Sequence, residues 1–287
     1  MSNKKTYTES WVDDTHFSID YTSHLHHEQS PYQTIDFYQS KTFGTFFTLD
    51  GLVMVTEKDE FIYHDMISHI PLAINPDIKH VLIIGGGDGG TAREIARYQT
   101  VETIDMVEID ERVVRLSQIH LPQTAGILDK DKRINLYFED GLDFVKNTKP
   151  QSYDLILVDS TDPIGPGEGL FSTEFYTHCF EALSEKGILI NQHESPVFDN
   201  YKKEMIRAHK KIKTLFPITE VYQFHQPTYP SGHWLFGFAS KHYHPLKDHK
   251  PDRWETFKLH TKYYNSDLHK AAFKLPTYVK EALKNEN

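Results

Sequence analysis

One segment limits what this chain can become more than any other: Gly85-Gly86-Gly87-Asp88-Gly89-Gly90, directly after the apolar run Val81-Leu82-Ile83-Ile84. Five glycines in six positions let a backbone leave a strand sharply and approach a ligand closely. Residues 91–98 then read as a helix. A strand, a glycine loop and a helix in that order open a nucleotide-binding α/β unit. Pyrophosphate sites use bare backbone N–H groups at a helix N-terminus, which favour anions. Asp88 places a carboxylate inside the loop, which suits a cation better than a phosphate.

Around this segment the chain changes period. Up to about residue 56 it reads as β structure, with alternating aromatic and Thr-rich runs at 32–38 and 43–49 and a hairpin signal at Asp50-Gly51. Residues 59–70 read as an amphipathic helix ended by Pro71. Strands are then expected at 81–84, 103–109, 134–139, 155–159 and 187–191, and helices at 91–98, 111–120, 141–146, 173–184 and 201–215. Strands apolar throughout suit a parallel sheet covered on both faces. Strands at 219–224 and 233–239 are joined too closely for a crossover helix, so they must be antiparallel. The expected fold is therefore α/β: a mostly parallel sheet ending in an antiparallel hairpin, preceded by a small antiparallel β domain. The expected division is 1–58, 59–243 and 244–287, the last a polar extension with short helices near 279–283.

In an open parallel sheet, ligands bind beyond the carboxyl ends of the strands. Here those ends carry Asp88, then Glu108-Ile109-Asp110, then Glu139-Asp140-Gly141, then Asp159-Ser160-Thr161-Asp162-Pro163. A single acid after a strand is often only a helix N-cap. Four consecutive acidic strand ends point instead to a crevice for a nucleoside with attached positive charge. Glu108 is placed for ribose hydroxyls, Asp140 for the exocyclic amine of adenine, and Asp88, Asp159 and Asp162 for the cationic part. A sulfonium nucleoside fits. One that keeps the methionine carboxylate would set that group against Asp88, whereas the decarboxylated compound offers only an ammonium.

The net charge of -10 argues against nucleic acid as a partner. The single cysteine, Cys179, forms no internal disulfide and reads as a core residue in a helix, which suits a reducing compartment. No run approaches the roughly 18 apolar residues of a membrane helix, so a cytoplasmic location is expected.

Several segments together resemble the spermidine synthases of the bacterial type. They are Ser30-Pro31-Tyr32-Gln33, Leu49-Asp50-Gly51, Asp59-Glu60-Phe61-Ile62-Tyr63-His64-Asp65-Met66, residues 81–90, Glu108-Ile109-Asp110, Asp140-Gly141, residues 159–167, Thr228-Tyr229-Pro230-Ser231-Gly232, Tyr263-Tyr264-Asn265 and Leu275-Pro276. The resemblance implies an N-terminal β domain and a methyltransferase-like Rossmann domain. It also implies transfer of an aminopropyl group from decarboxylated S-adenosylmethionine, a co-substrate rather than a cofactor, to putrescine. By position, Gln33, Glu108, Asp140, Gly141 and Pro166 match residues that hold the nucleoside. Tyr63, His64, Asp88, Asp162 and Tyr229 match those around the aminopropyl and diamine chains, and Asp159 matches the catalytic base.

The residues permit an in-line displacement at the carbon beside the sulfonium. The leaving thioether is neutral and needs no acid. A primary amine, with a pKa near 10.4, must lose a proton first, and Asp159 assisted by Tyr63 is the expected acceptor. Residues 162–169, rich in Gly and Pro, are expected to cover the site. The alternatives are an S-adenosylmethionine-dependent methyltransferase, an aminopropyltransferase preferring cadaverine, agmatine or diaminopropane, and a non-catalytic polyamine- or nucleoside-binding protein. No metal is expected, because His24, His26 and His27 lack a distant Cys/His pair. Lys202-Lys203 and Lys210-Lys211 read as a solvated helix face, and a homodimer or homotetramer is expected from the small β domain.

Overall fold

The computed structural model describes residues 5–12, 14–160 and 165–284, with only the backbone at 165 and 166. Six strands come first: β1 (Lys5–Val12), β2 (Thr15–Tyr21), β3 (Ser23–Gln29), β4 (Thr34–Ser40), β5 (Gly44–Leu49) and β6 (Leu52–Thr56). β1 and β2 form a hairpin, and β3 to β6 form an antiparallel meander. Asp50 and Gly51 both have positive φ, 47° and 82°, as the expected tight hairpin turn requires. The meander buries its faces on two different partners. Ile35, Phe37, Phe47, Leu49 and Val55 pack with Val113, Leu116 and Leu121 of the next domain, while Tyr38 and Phe46 pack with Ile19 of the hairpin.

Helix α1 (Glu60–Ile74) follows. Its sequence predicts an end at Pro71, yet the helix continues three residues beyond it. An interior proline costs about 3 kcal/mol through its lost hydrogen bond and ring clash. Leu72 and Ile74 are fully buried beyond it, which returns about 1.5–3 kcal/mol each. Burial wins, and it is almost all-round: among residues of α1 only Phe61 is not buried, so the helix is less a surface element than a central pin. Asp65 extends that role. Its Oδ2 accepts the backbone N–H groups of Lys262, Tyr263 and Tyr264 at 3.0, 2.7 and 3.1 Å, fastening the C-terminal extension.

The remaining elements are β7 (His80–Gly85), α2 (Gly90–Ala96), β8 (Thr103–Val107), α3 (Glu111–His120), α4 (Pro122–Ala125), β9 (Ile134–Tyr137), α5 (Gly141–Asn147), β10 (Tyr153–Asp159), a 3-10 turn at Gly165–Phe171, α6 (Thr173–Ala182), β11 (Leu183–Gln192), α7 (Asp199–Leu215), β12 (Ile218–His225), β13 (His233–Ser240), α8 (Pro251–Glu255), α9 (Ser266–Ala272) and α10 (Thr277–Lys284). The sheet order is β12-β13-β11-β10-β7-β8-β9. β7 to β11 run parallel, and β13 is antiparallel to both neighbours. This is the expected mostly parallel sheet ending in an antiparallel hairpin, with β12 at the edge. The chain winds outward from β7 through β8 to β9, then returns to β10, so the crevice opens between β7 and β10. Cys179 is buried in α6, as expected. The Lys face of α7 is not wholly solvated: half-buried Lys211 donates to the Phe171 carbonyl at 2.6 Å and ties off the 3-10 turn.

Candidate active site

The cleft lies at the carboxyl edge of β7, β8 and β10, roofed by the N-terminal meander. It encloses about 1280 Å³, part of it open to solvent. Its geometry starts with glycine. Gly85 has φ 84° and sits opposite Asp159 in the β7–β10 register, where a Cβ would meet the Asp159 carbonyl oxygen at 2.1 Å. At Gly90 a Cβ would land 2.1 Å from Cε1 of His64. The glycines thus bring the loop down onto β10 on one side and onto α1 on the other.

Asp159, at the end of β10, accepts a hydrogen bond from Thr91 through Oδ2 at 2.6 Å. Burial and the neighbouring Asp88 charge raise its carboxyl to about 6, although His64, Thr91 and Tyr63 pull the other way. The Tyr63 hydroxyl donates to Gln192 Oε1 at 3.3 Å. Burial and the Asp159 charge push the Tyr63 phenol well up, so it stays a neutral donor. Tyr63 meets Tyr229 nearly edge-on, centroids 6.1 Å apart, and the Tyr229 hydroxyl donates to the Met54 carbonyl at 2.7 Å. That bond closes the roof over the cleft.

Asp88 Oδ1 accepts the Gly90 N–H at 2.8 Å and lies 3.2 Å from His64 Nε2. The other nitrogen of His64 lies 2.6 Å from Glu60, which Arg93 grips at 2.9 and 3.0 Å. Burial alone would lower the His64 imidazole. Asp88 and Glu60 outweigh that and push it to about 10, so it is cationic at neutral pH. The result is a buried line of alternating charge, Arg93–Glu60–His64–Asp88, with Asp88 at the cleft end. His64 lines the cleft, but both its ring nitrogens are engaged.

At the other end, Glu108 accepts the Asp110 N–H at 3.0 Å. Burial, then the Asp110 and Asp159 charges, raise its carboxyl to about 7 against the backbone hydrogen bonds it accepts. Asp140 lines the cleft and also caps α5, accepting the Leu142 N–H at 2.7 Å, so the capping role does not take it out of the cleft. Gly141 is needed beside it, since a Cβ there would lie 2.6 Å from Ile84. Gln33 lines the cleft, its amide nitrogen 3.0 Å from Asp110, which also caps α3. Asp110 is therefore spent on joining the two domains. Asp162 lies outside the described residues, as do 163 and 164 of the expected covering loop. Beyond them, Gly167 and Leu170 line the cleft.

Sequence reasoning missed Gln192, Tyr201 and Trp234 in the wall, and Thr91 behind Asp159. Gln192 ends β11 and would have been found had the strand-end rule not been restricted to acids. The i, i+4 spacing of Glu60 and His64 could have revealed the charge line.

Residues 60–250 match the spermine/spermidine synthase domain, and residues 6–57 match the spermidine synthase tetramerisation domain. The chain belongs to the spermine/spermidine synthase family. It is an aminopropyltransferase of polyamine biosynthesis. The polyamine aminopropyltransferase of Clostridium acetobutylicum is 65% identical over 277 residues, covering 96% of this chain and 97% of that protein. That of Alkaliphilus oremlandii is 62% identical over 280 residues, 98% of each chain. A spermidine synthase crystallised with the transition-state analogue AdoDATO superposes with a TM-score of 0.95 at 38% identity, covering 98% of this chain and 96% of that one. The spermidine synthase of Thermotoga maritima gives 0.93 at 37%, covering 98% and 95%. No helix among the described residues of this aminopropyltransferase is long and apolar enough to cross a membrane.

Proposed function

We propose that this enzyme transfers the aminopropyl group of decarboxylated S-adenosylmethionine to putrescine, giving spermidine and 5′-methylthioadenosine. The observation that carries the reading is the convergence of Asp88, Asp159, Tyr63 and Tyr229 at one end of a cleft whose other end holds Glu108 and Asp140. Glu108 accepts the ribose hydroxyls, Asp140 the adenine amine, and Gln33, Gly141 and Pro166 complete the nucleoside seat. Asp88, held by His64 and the Gly90 N–H through Oδ1, turns its remaining capacity on the donor ammonium. His64 acts by fixing Asp88 rather than by touching the diamine. Tyr63, Tyr229 and Asp162 confine the diamine, with cation–π contact worth about 0.5–2 kcal/mol at each ring.

The amine nitrogen attacks the carbon next to sulfur in line with the C–S bond. The C–N bond forms as the C–S bond breaks, the electron pair passes to sulfur, and the proton leaves nitrogen for Asp159. Alignment of the three atoms supplies much of the rate. No cofactor takes part. The functional division falls at residues 58 and 243, the assembly is a homotetramer built through residues 6–57, and the enzyme works in the cytoplasm.

The test is an acceptor panel of diaminopropane, putrescine, cadaverine, agmatine and spermidine with the decarboxylated donor, and with S-adenosylmethionine in parallel. Release of methylthioadenosine should be fastest with putrescine and negligible with the carboxylated donor. A higher kcat/KM with another amine overturns the acceptor assignment.

A further inference from the structure

We propose that the N-terminal meander carries a second, non-catalytic site, for a divalent transition cation of the zinc class, formed by His24, His27 and Asp36. Two residues three apart on a regular strand point to opposite faces. Here the β3–β4 pairing runs His24↔Tyr38, His26↔Phe37, His27↔Asp36, so Leu25 is an extra residue in a bulge. The bulge rephases the strand. His24 and His27 then share a face with Tyr38 and Asp36, while His26 turns toward His120 on the other side.

The three side chains converge on one point. His24 Nε2 lies 2.7 Å and His27 Nδ1 2.8 Å from the same oxygen, Asp36 Oδ1. One ligand atom from each residue falls within 4.8 Å of the other two. Two imidazole nitrogens and a carboxylate oxygen are a zinc-type donor set, three protein ligands with a fourth position left for water. Metal–ligand bonds of about 2.0–2.2 Å at tetrahedral angles need donors about 3.3–3.5 Å apart. The present spacing must open by roughly half an ångström, which the exposed rings allow: the side chains of His24 and His27 are 38% and 63% accessible, that of Asp36 only 14%. His24 is held in orientation by stacking on Tyr38, centroids 4.4 Å apart and 11° from parallel. β3 is the edge strand of its sheet, so the ion would staple that edge strand to β4.

The experiment is a calorimetric titration of zinc chloride into the full-length enzyme and into His24→Ala, His24→Gln, His27→Ala, Asp36→Asn and, as control, His26→Ala. Aminopropyl transfer, measured on each, should be unchanged and reports folding. Among the described residues there are two other acid–histidine groupings, His64/Asp88/Asp159 and Asp65/His69/Glu94, and the comparison among variants subtracts them. The wild type and His26→Ala should bind one more zinc per chain than the others, or bind it at least tenfold tighter, since even an outer-sphere partner is worth about 10–100-fold. Zinc should raise the thermal midpoint of the wild type and not of His24→Ala. Titrations of His24→Ala and His27→Ala that superimpose on the wild type overturn the proposal, as does a wild type that takes up no zinc.

Discussion

Replacing Glu108 by Gln should make the empty enzyme more stable at neutral pH and less able to hold its nucleoside. The Glu108 carboxyl stands at about 7 against an ordinary 4.5, because burial and the Asp110 and Asp159 charges disfavour its ionised form. A carboxyl raised on folding stabilises the fold below its unfolded value, and that contribution is lost as pH rises through its folded value. The full difference, 2.5 units at 1.36 kcal/mol each, is about 3 kcal/mol, of which about 2.5 falls between about pH 5 and pH 8. The glutamine has no charge to lose. It brings a fixed cost instead, since its amide N–H₂ cannot accept the backbone N–H groups that Glu108 does, but that cost is the same at every pH. Asp159 titrates in both proteins and cancels to first approximation. Urea denaturation of wild type and Glu108→Gln across the pH series should therefore show the variant gaining on the wild type by about 2.5 kcal/mol from about pH 5 to pH 8. With methylthioadenosine present the order should reverse, because charged hydrogen bonds to the ribose are worth about 1.5–3 kcal/mol. A stability difference that stays flat with pH would show that Glu108 is not held in a desolvated state, and the argument would fall.

Asp159→Asn should bind methylthioadenosine within a few-fold of wild type and lose about 10²–10⁴ in turnover, the usual worth of a general base; normal turnover removes Asp159 from that role. In the wild type, kcat should fall as pH drops through about 6, where Asp159 takes up its proton. Asp88→Asn, which keeps an acceptor for the Gly90 N–H, should weaken the decarboxylated donor by about 10–100-fold and leave methylthioadenosine almost untouched; equal losses for both, read by calorimetry, would remove the ammonium contact.

Much of the sheet could be read from the sequence because its signals are local. Residues 155–158 are apolar on both faces because helices cover both, and an acid after such a strand has few places to go but the crevice. What escaped is governed by distant partners. Pro71 ends a helix on local grounds, and only the burial of Leu72 and Ile74 keeps α1 going. Asp110 has the same local signature as Glu108, yet one bridges to Ser30 and Gln33 while the other faces the cleft. His24 and His27 look mismatched in phase until the bulge at Leu25 is known, and no spacing rule reaches from them to Asp36.

Beyond attracting cations, the acidic rim raises the proton affinity of Asp159. A free amine near 10.4 facing an ordinary Asp at 3.8 would lose its proton only against about 9 kcal/mol. With Asp159 raised to about 6, that falls to about 6 kcal/mol. A turnover near 10 per second leaves a barrier of roughly 16 kcal/mol, so a 3 kcal/mol relief at the base decides whether displacement itself is affordable. After burial, the largest cause of that rise is Asp88. In the proposed reading, the carboxylate that attracts the donor's ammonium also strengthens the base. His64 behind it lies 3.2 Å from the Asp88 carboxylate, and Glu60 and Arg93 hold that histidine in place. On that proposal, seating the cations and deprotonating the nucleophile are two results of one arrangement of charge.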